Sequence, residues 1–226
     1  MLKEQIDAFY QNREKSRVRE RTLFYVTDIA NCPRAVFFDF KKYPRKQQDP
    51  RILRVMHNGD FVHQRLGTVL KEQEVLKGVY GEDIEVSLPY NDLVRGRVDA
   101  IIELHGEQWI IDFKSMNSFK FKSLQQPEPE HIQQVQIYLH FMNLKKGLLI
   151  YECKNTQEIK EFAIDYNEEL VNAALAKFYV LRSQIEQNII PDIPPTIEQW
   201  KCDRCPFLES CKKIGNPFYP KEASTG

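Results

Sequence analysis

Residues 93–116 read LVRGRVDAIIEL-HG-EQWIIDFKSM. Two runs rich in Val, Ile and aromatic residues flank His105-Gly106, the composition of two strands joined by a tight turn. The stretch predicts a β-hairpin. Residues two apart on a strand share a face, so Asp112 and Lys114 project together and Phe113 points to the other side. Asp99, in Gly96-Arg97-Val98-Asp99, is expected on the partner strand, where it meets them across the hairpin. Two carboxylates so placed make a hard oxygen site suited to magnesium or manganese. A lysine beside them can neutralise developing negative charge and orient or deprotonate a water. Asp-Phe-Lys in a strand is also a common surface salt-bridge pattern, so the flanking segments decide between the two.

Upstream, residues 51–76 carry a helical pattern weakened locally by Gly59 and Gly67. His63 is a candidate third ligand, with the small Gly59 one turn earlier on the same face; an imidazole would favour manganese over magnesium. His57 is the rival and falls on another face, and a single helical histidine is often structural. Downstream, EHIQQVQIYLHFMNL (130–144) has apolar residues three and four apart and reads as a helix. Gln134 and Tyr138, four apart, share one of its faces. They either flank the acidic site and touch phosphate or base, or Tyr138 is core and Gln134 partly exposed.

Around this centre the order is helices, three strands, helix, two strands, helix, a mixed α/β arrangement. EDIEVSLPY (82–90) alternates as a strand, SFKFKSLQQPEPE (118–130) reads as a linker, KGLLIYECK (146–154) and EIKEFAIDY (158–166) as strands around a KNTQ turn, and 167–188 as a long amphipathic helix. Residues 1–22 read as a helix with Arg13, Lys15, Arg17, Arg19 and Arg21 close together, either a solvated face or a phosphate contact surface. Phe119, Lys120, Phe121 and Lys122 interleave aromatic and basic groups, suited to stacking with phosphate contact or simply to an amphipathic mobile loop.

A length of 226 residues fits one domain, or one domain with an appended module. The prediction is a single domain, 1–226, with its core at about 51–188. Lysine plus arginine and aspartate plus glutamate number 32 each, so overall charge announces no nucleic-acid partner, although a local basic face is compatible with it. No apolar run approaches a membrane span, and the N-terminal stretch lacks the apolar core of a signal peptide. A soluble, intracellular (cytoplasmic) protein is expected. No Gly-x4-Gly-Lys-Ser/Thr loop is present, so ATP-driven unwinding would need a separate partner.

Five cysteines in such a chain point to metal or redox work rather than disulfides. Cys202-x2-Cys205-x5-Cys211 closes the sequence, and the two-residue spacing lets both thiolates face one centre. Cys32, followed by Pro33 and Arg34 at a helix start, is the candidate fourth ligand, because a helix N-terminus favours thiolate. Cys153, inside a strand, reads as a small buried hydrophobe. The residues themselves specify a four-thiolate site and leave zinc and iron–sulfur open. Either would staple the C-terminal tail (about 189–215) onto the N-terminal helices (about 23–45) and add folding energy.

Taken in order, Cys32, Gly59-x3-His63, Gly96-x2-Asp99, Asp112-x-Lys114, Gln134-x3-Tyr138 and Cys202-x2-Cys205-x5-Cys211 resemble the RecB-type PD-(D/E)XK nucleases that carry an iron–sulfur cluster. They are most similar to the CRISPR-associated family-four exonucleases, including stand-alone and phage-borne relatives. The resemblance runs from Cys32 to Cys211. It implies a restriction-endonuclease-like core with a mixed sheet, a helical N-terminal region and an iron–sulfur-stapled C-terminal tail. It further implies a [4Fe–4S] cluster on Cys32, Cys202, Cys205 and Cys211, and Mn2+ or Mg2+ held by His63, Asp99, Asp112 and the Phe113 carbonyl. Lys114 would be the catalytic lysine, with Gln134 and Tyr138 acting beside it. Many relatives have Glu where Asp112 stands, a change of reach with retained ligating chemistry.

The expected activity is a metal-dependent DNA exonuclease acting on ends, preferably single-stranded or frayed, with some internal cutting and an integrase or helicase as partner. Arg34, Arg97, Lys120 and Lys122 are the candidate DNA contacts. Two other readings stand against it: a non-catalytic DNA-end-binding accessory of an integration or recombination complex, and a zinc-stabilised binding module. The intact Asp99, Asp112 and Lys114 set opposes the first of these.

Overall fold

The computed structural model describes residues 1–17, 20–73 and 85–219. Arg19, the last residues of the expected 51–76 helix and the start of the expected strand at 82–90 lie outside them. Two compact units share the chain. One comprises residues 23–30 and 56–178, the other 1–22, 31–55 and 179–226.

The first unit holds the sheet. Its four strands are β5 (Ala100–Leu104), β6 (Glu107–Met116), β7 (Lys146–Cys153) and β8 (Ile159–Asp165), in that spatial order. β5 and β6 form the predicted antiparallel hairpin, with Ala100 opposite Ile111 and His105 and Gly106 in positive-φ turn positions. β6 and β7 pair in parallel, which requires a crossover. α4 (Ser118–Ser123) and α5 (Pro129–Met142) supply it, and β8 returns antiparallel on β7. The expected linker at 118–130 is therefore partly helical. Asn117 caps α4 by accepting the Lys120 N–H at 3.0 Å, as short polar side chains do at helix starts.

Two short pairings flank the sheet. β1 (Phe24–Tyr25) runs parallel to β3 (Val94–Arg95), and β2 (Val86–Ser87) antiparallel to β4 (Arg97–Val98). Alternation on β5 and β6 sends Ala100, Ile102, Ile111 and Phe113 into one core face, covered by Leu66 and Leu70 of α3 (Pro50–Glu72). The other face carries α5, whose Val135, Ile137, Tyr138 and Leu139 are buried. Each such side chain contributes about 1.5–3 kcal/mol by leaving water. Phe178, in α6 (Glu168–Glu186), stacks on Phe24 at 5.1 Å.

The second unit is helical: α1 (Leu2–Arg17), α2 (Pro33–Phe40), α7 (Gln199–Asp203) and α8 (Leu208–Ile214). Pro33 opens α2, where its missing N–H leaves no bond unmade. The C-terminal tail is fastened to α2 by the protein's own groups. Arg34 donates to the carbonyls of Pro191 (2.7 Å) and Gly215 (2.5 Å), and Phe38 packs on Phe207 and Tyr43. Buried in this way, the Arg34 guanidinium holds the tail and is not presented as the phosphate contact expected from sequence. Among the described residues no helix is long and apolar enough to cross a membrane.

Candidate active site

β6 delivers the chemistry as its alternation requires. The Lys114 ammonium lies 2.5 Å from Asp112 Oδ2. Asp112 is 2% exposed, and burial pushes its carboxyl up to about 6 against the pull of Lys114. The Lys114 ion pair is the contact that Asp112 Oδ2, a buried oxygen, makes. α5 presents Gln134 to this pair. Its Oε1 accepts from Lys114 Nζ at 3.1 Å, and its Nε2 faces Asp112 Oδ1 at 3.3 Å and the Tyr138 hydroxyl at 3.1 Å. The helical spacing of four therefore serves one network, and Gln134 is buried rather than partly exposed. Burial, with the Asp112 charge adding, raises the Tyr138 phenol well above its ordinary range.

Asp99 sits differently from the expectation. It occupies a one-residue bend between β4 and β5 instead of a regular strand position. From there Oδ2 accepts the Phe113 N–H at 2.7 Å and Oδ1 meets His63 Nδ1 at 3.1 Å. Burial lowers the His63 imidazole pKa, but the Asp99 hydrogen bond and charge outweigh it and leave the group raised. His63, Asp99, Asp112 and Lys114 thus lie within one another's electrostatic reach. His57 turns to Phe61 instead, with rings 4.7 Å apart.

Gly96 explains its own place in the motif. A Cβ there would meet Val26 Cγ2 at 3.0 Å and Tyr138 Cε1 at 3.1 Å, so the glycine lets this strand approach the tyrosine of the network. Four side chains were missed from sequence. The buried Tyr151 hydroxyl, opposite Lys114 in the β6–β7 register, contacts His131 Nδ1 at 2.8 Å. Glu152, buried in β7, takes the Arg65 guanidinium at 2.7 and 2.5 Å. A carboxylate inside the apolar run KGLLIYECK was the available signal.

The remaining candidates are dispersed. Arg97 pairs with Glu85 at 2.6 Å. Lys120 and Lys122 are exposed on α4, where Phe119 is exposed but Phe121 is buried beneath Lys160.

Among the described residues no group of three or more His, Cys, Asp or Glu side chains is gathered to hold a metal ion. In the acidic site the reason is that Asp99 is turned to His63 and the Phe113 N–H, and Asp112 to Lys114 and Gln134. Phe113 takes part through its N–H. The cysteines show a related pattern. Cys32, Cys202, Cys205 and Cys211 influence one another electrostatically, and burial raises the first two and pushes Cys205 up to about 11. The N–H groups of Arg34 and Ala35 do favour the Cys32 thiolate, as a helix start should, but burial outweighs them. Arg34 Nη1 and Asn216 Nδ2 donate to Cys211 Sγ at 3.7 and 3.5 Å. Cys153 is buried in β7, as expected.

Comparison with known proteins agrees with this arrangement. A family model described as the PD-(D/E)XK nuclease superfamily matches residues 6–212. The chain is 30% identical over 208 residues to the CRISPR-associated exonuclease Cas4 of Saccharolobus solfataricus, covering 87% of this chain and 90% of that one. In fold it is similar to the crystal structure of SSO0001, with a TM-score of 0.61, 24% identity and 97% of both chains covered. It is also similar to the alkaline exonuclease LHK-Exo from Laribacter hongkongensis, with a TM-score of 0.50, 13% identity, and 74% and 90% covered. An aspartate and a lysine two apart on a central strand, met by an aspartate from the preceding bend, thus sit in a chain that belongs to the PD-(D/E)XK nuclease superfamily.

Proposed function

We propose that this nuclease is a divalent-metal-dependent DNA exonuclease that hydrolyses phosphodiester bonds at DNA ends, preferably single-stranded ones. The observation that carries the reading is the network joining Lys114, Asp112, Gln134 and Tyr138 beside the His63–Asp99 pair. The relative named as an exonuclease supports action at ends.

The residues fit a hard cation in chemistry. Asp112 Oδ2 is a buried carboxylate oxygen facing the Lys114 ammonium, and a second carboxylate and an imidazole lie near it. Asp99, Asp112, His63 and the Phe113 carbonyl would hold Mn2+ or Mg2+, which when bound makes water acidic and screens phosphate charge. The chain's own groups do the rest. Lys114 Nζ, fixed by Gln134 and Asp112, offers a positive charge to the phosphate oxygens as negative charge develops there, and orients the attacking water. Gln134 transmits the position of Tyr138 to that lysine. His63 and the Phe113 N–H keep Asp99 aimed at the strand.

For the cysteines, the four-thiol donor set and the two N–H groups directed at Cys211 Sγ suit a [4Fe–4S] cluster on Cys32, Cys202, Cys205 and Cys211, since hydrogen bonds to sulfur are a feature of such centres. Its part is structural, adding to the Arg34 fastening of the tail. Arg97, Lys120 and Lys122 are the proposed DNA contacts, and an integrase or helicase would be the partner that presents ends.

The test compares linear with covalently closed circular single-stranded DNA. Degradation of the linear form with the circle spared is expected. Equal loss of both would replace the exonuclease reading with an endonuclease. Iron and sulfide analysis of anaerobically purified protein checks the cluster, and stoichiometric zinc without iron would overturn it.

A further inference from the structure

A cavity of about 650 Å³ opens on the sheet-bearing unit away from the Asp112–Lys114 network. One wall is a stripe of α3, comprising Asn58, Phe61, Arg65 and Val69, and Lys154 and Gln157 close it from the end of β7. Its size falls in the range of small-ligand sites. Its groups are of the kinds that hold a nucleotide: a flat aromatic face, fixed cations and amides.

Phe61 is 55% exposed and offers a ring face at the cavity. His57 lies against it at 4.7 Å. Arg65 is built rather than loose. Both oxygens of Glu152, a carboxylate 1% exposed, take the single nitrogen Nη2, which also lies 3.3 Å from Gln157 Oε1. That arrangement fixes the guanidinium plane and leaves its Nη1–Nε edge for a ligand, and guanidinium edges match phosphate oxygens. The wall shares its helix and sheet with the chemistry but faces elsewhere. Val62 and Gln64 flank His63, and Glu152 is opposite Ser115, the residue after Lys114.

We propose that this cavity is a strand-binding subsite, in which Phe61 stacks on a base of single-stranded DNA and Arg65 and Lys154 hold its phosphates, at a distance from the bond that is cut. The proposal rests on the nuclease reading and adds where the uncut strand is gripped.

The experiment measures binding of a fluorescent 15-residue oligothymidylate by anisotropy in EDTA, over a salt series. The proteins are wild type, Phe61→Ala, Phe61→Trp and Lys154→Ala, with thermal melting to confirm folding. Arg65→Ala is left as a secondary variant because it strands the buried Glu152. Phe61→Ala should weaken binding about fivefold to a hundredfold, the range for one stacked base, and Phe61→Trp should restore it. Lys154→Ala should weaken it less and lower the salt dependence by about one phosphate contact. Moving an abasic residue along the oligonucleotide should reveal one position that costs affinity in wild type and costs nothing in Phe61→Ala. A flat abasic profile, or folded variants that bind like wild type while wild type still degrades DNA, would overturn the subsite alone. Wild type that neither binds nor degrades single-stranded DNA would overturn the nuclease reading and the subsite with it.

Discussion

The acidic centre and the cysteine region are assembled by opposite strategies. The first draws its groups from one strand, the bend before its partner and one turn of α5, and backbone pairing sets their positions. Lys114, Asp112, Gln134 and Tyr138 are joined by direct side-chain contacts. The second, as proposed, would draw on four thiols separated by as many as 179 positions, Cys32 to Cys211, in a region that Arg34 and the packing of Phe38 against Phe207 hold closed. A site made from local register survives the loss of one side chain's chemistry with its fold intact. A site made from distant segments does not separate chemistry from folding so cleanly.

That contrast can be broken by substitution. The largest effect is expected at the acidic centre, where Lys114→Ala should cut DNA hydrolysis by about a hundredfold to a thousandfold, the cost of removing a charge preorganised for the transition state, with thermal melting confirming that the variant folds although buried Asp112 loses its ion-pair partner. Activity within tenfold of wild type would refute the assigned role. Next, Cys205→Ala should lose iron, brown absorbance and solubility together, read by spectroscopy and sedimentation; a soluble, brown, active variant would show that the region is not closed by those thiols. Arg34→Ala should lower stability by about 2–5 kcal/mol in denaturant titration, since two carbonyls of the tail lose a charged donor. Smallest, Gly96→Ala should destabilise by about 1–3 kcal/mol through contact with Val26 and Tyr138. Its activity should fall more than its stability, because the displaced tyrosine belongs to the network.

The hairpin and the sharing of a face by Asp112 and Lys114 were legible because a two-residue period and a His-Gly turn leave little freedom. Gln134 and Tyr138 were legible as a pair, but their full burial was not, since periodicity marks a face without saying what covers it. The bend at Asp99 escaped because a continuous run of β-forming residues conceals a one-residue break. Helix α4 escaped because Asn117 capping competes with a composition that reads as linker. At Cys32 two N–H groups favour the thiolate, as expected of a helix start, and burial opposes it. Arg65 and Glu152 were invisible as a pair, being 87 positions apart.

The measurement that bears most directly on the central claim is cleavage of end-labelled single-stranded DNA by anaerobically purified protein, with manganese, magnesium or EDTA, beside Asp112→Ala. Metal-dependent degradation that vanishes in EDTA and in the folded variant is the predicted result. Undiminished degradation by Asp112→Ala, or none by a folded wild type supplied with either metal, would contradict a hydrolytic centre on β6.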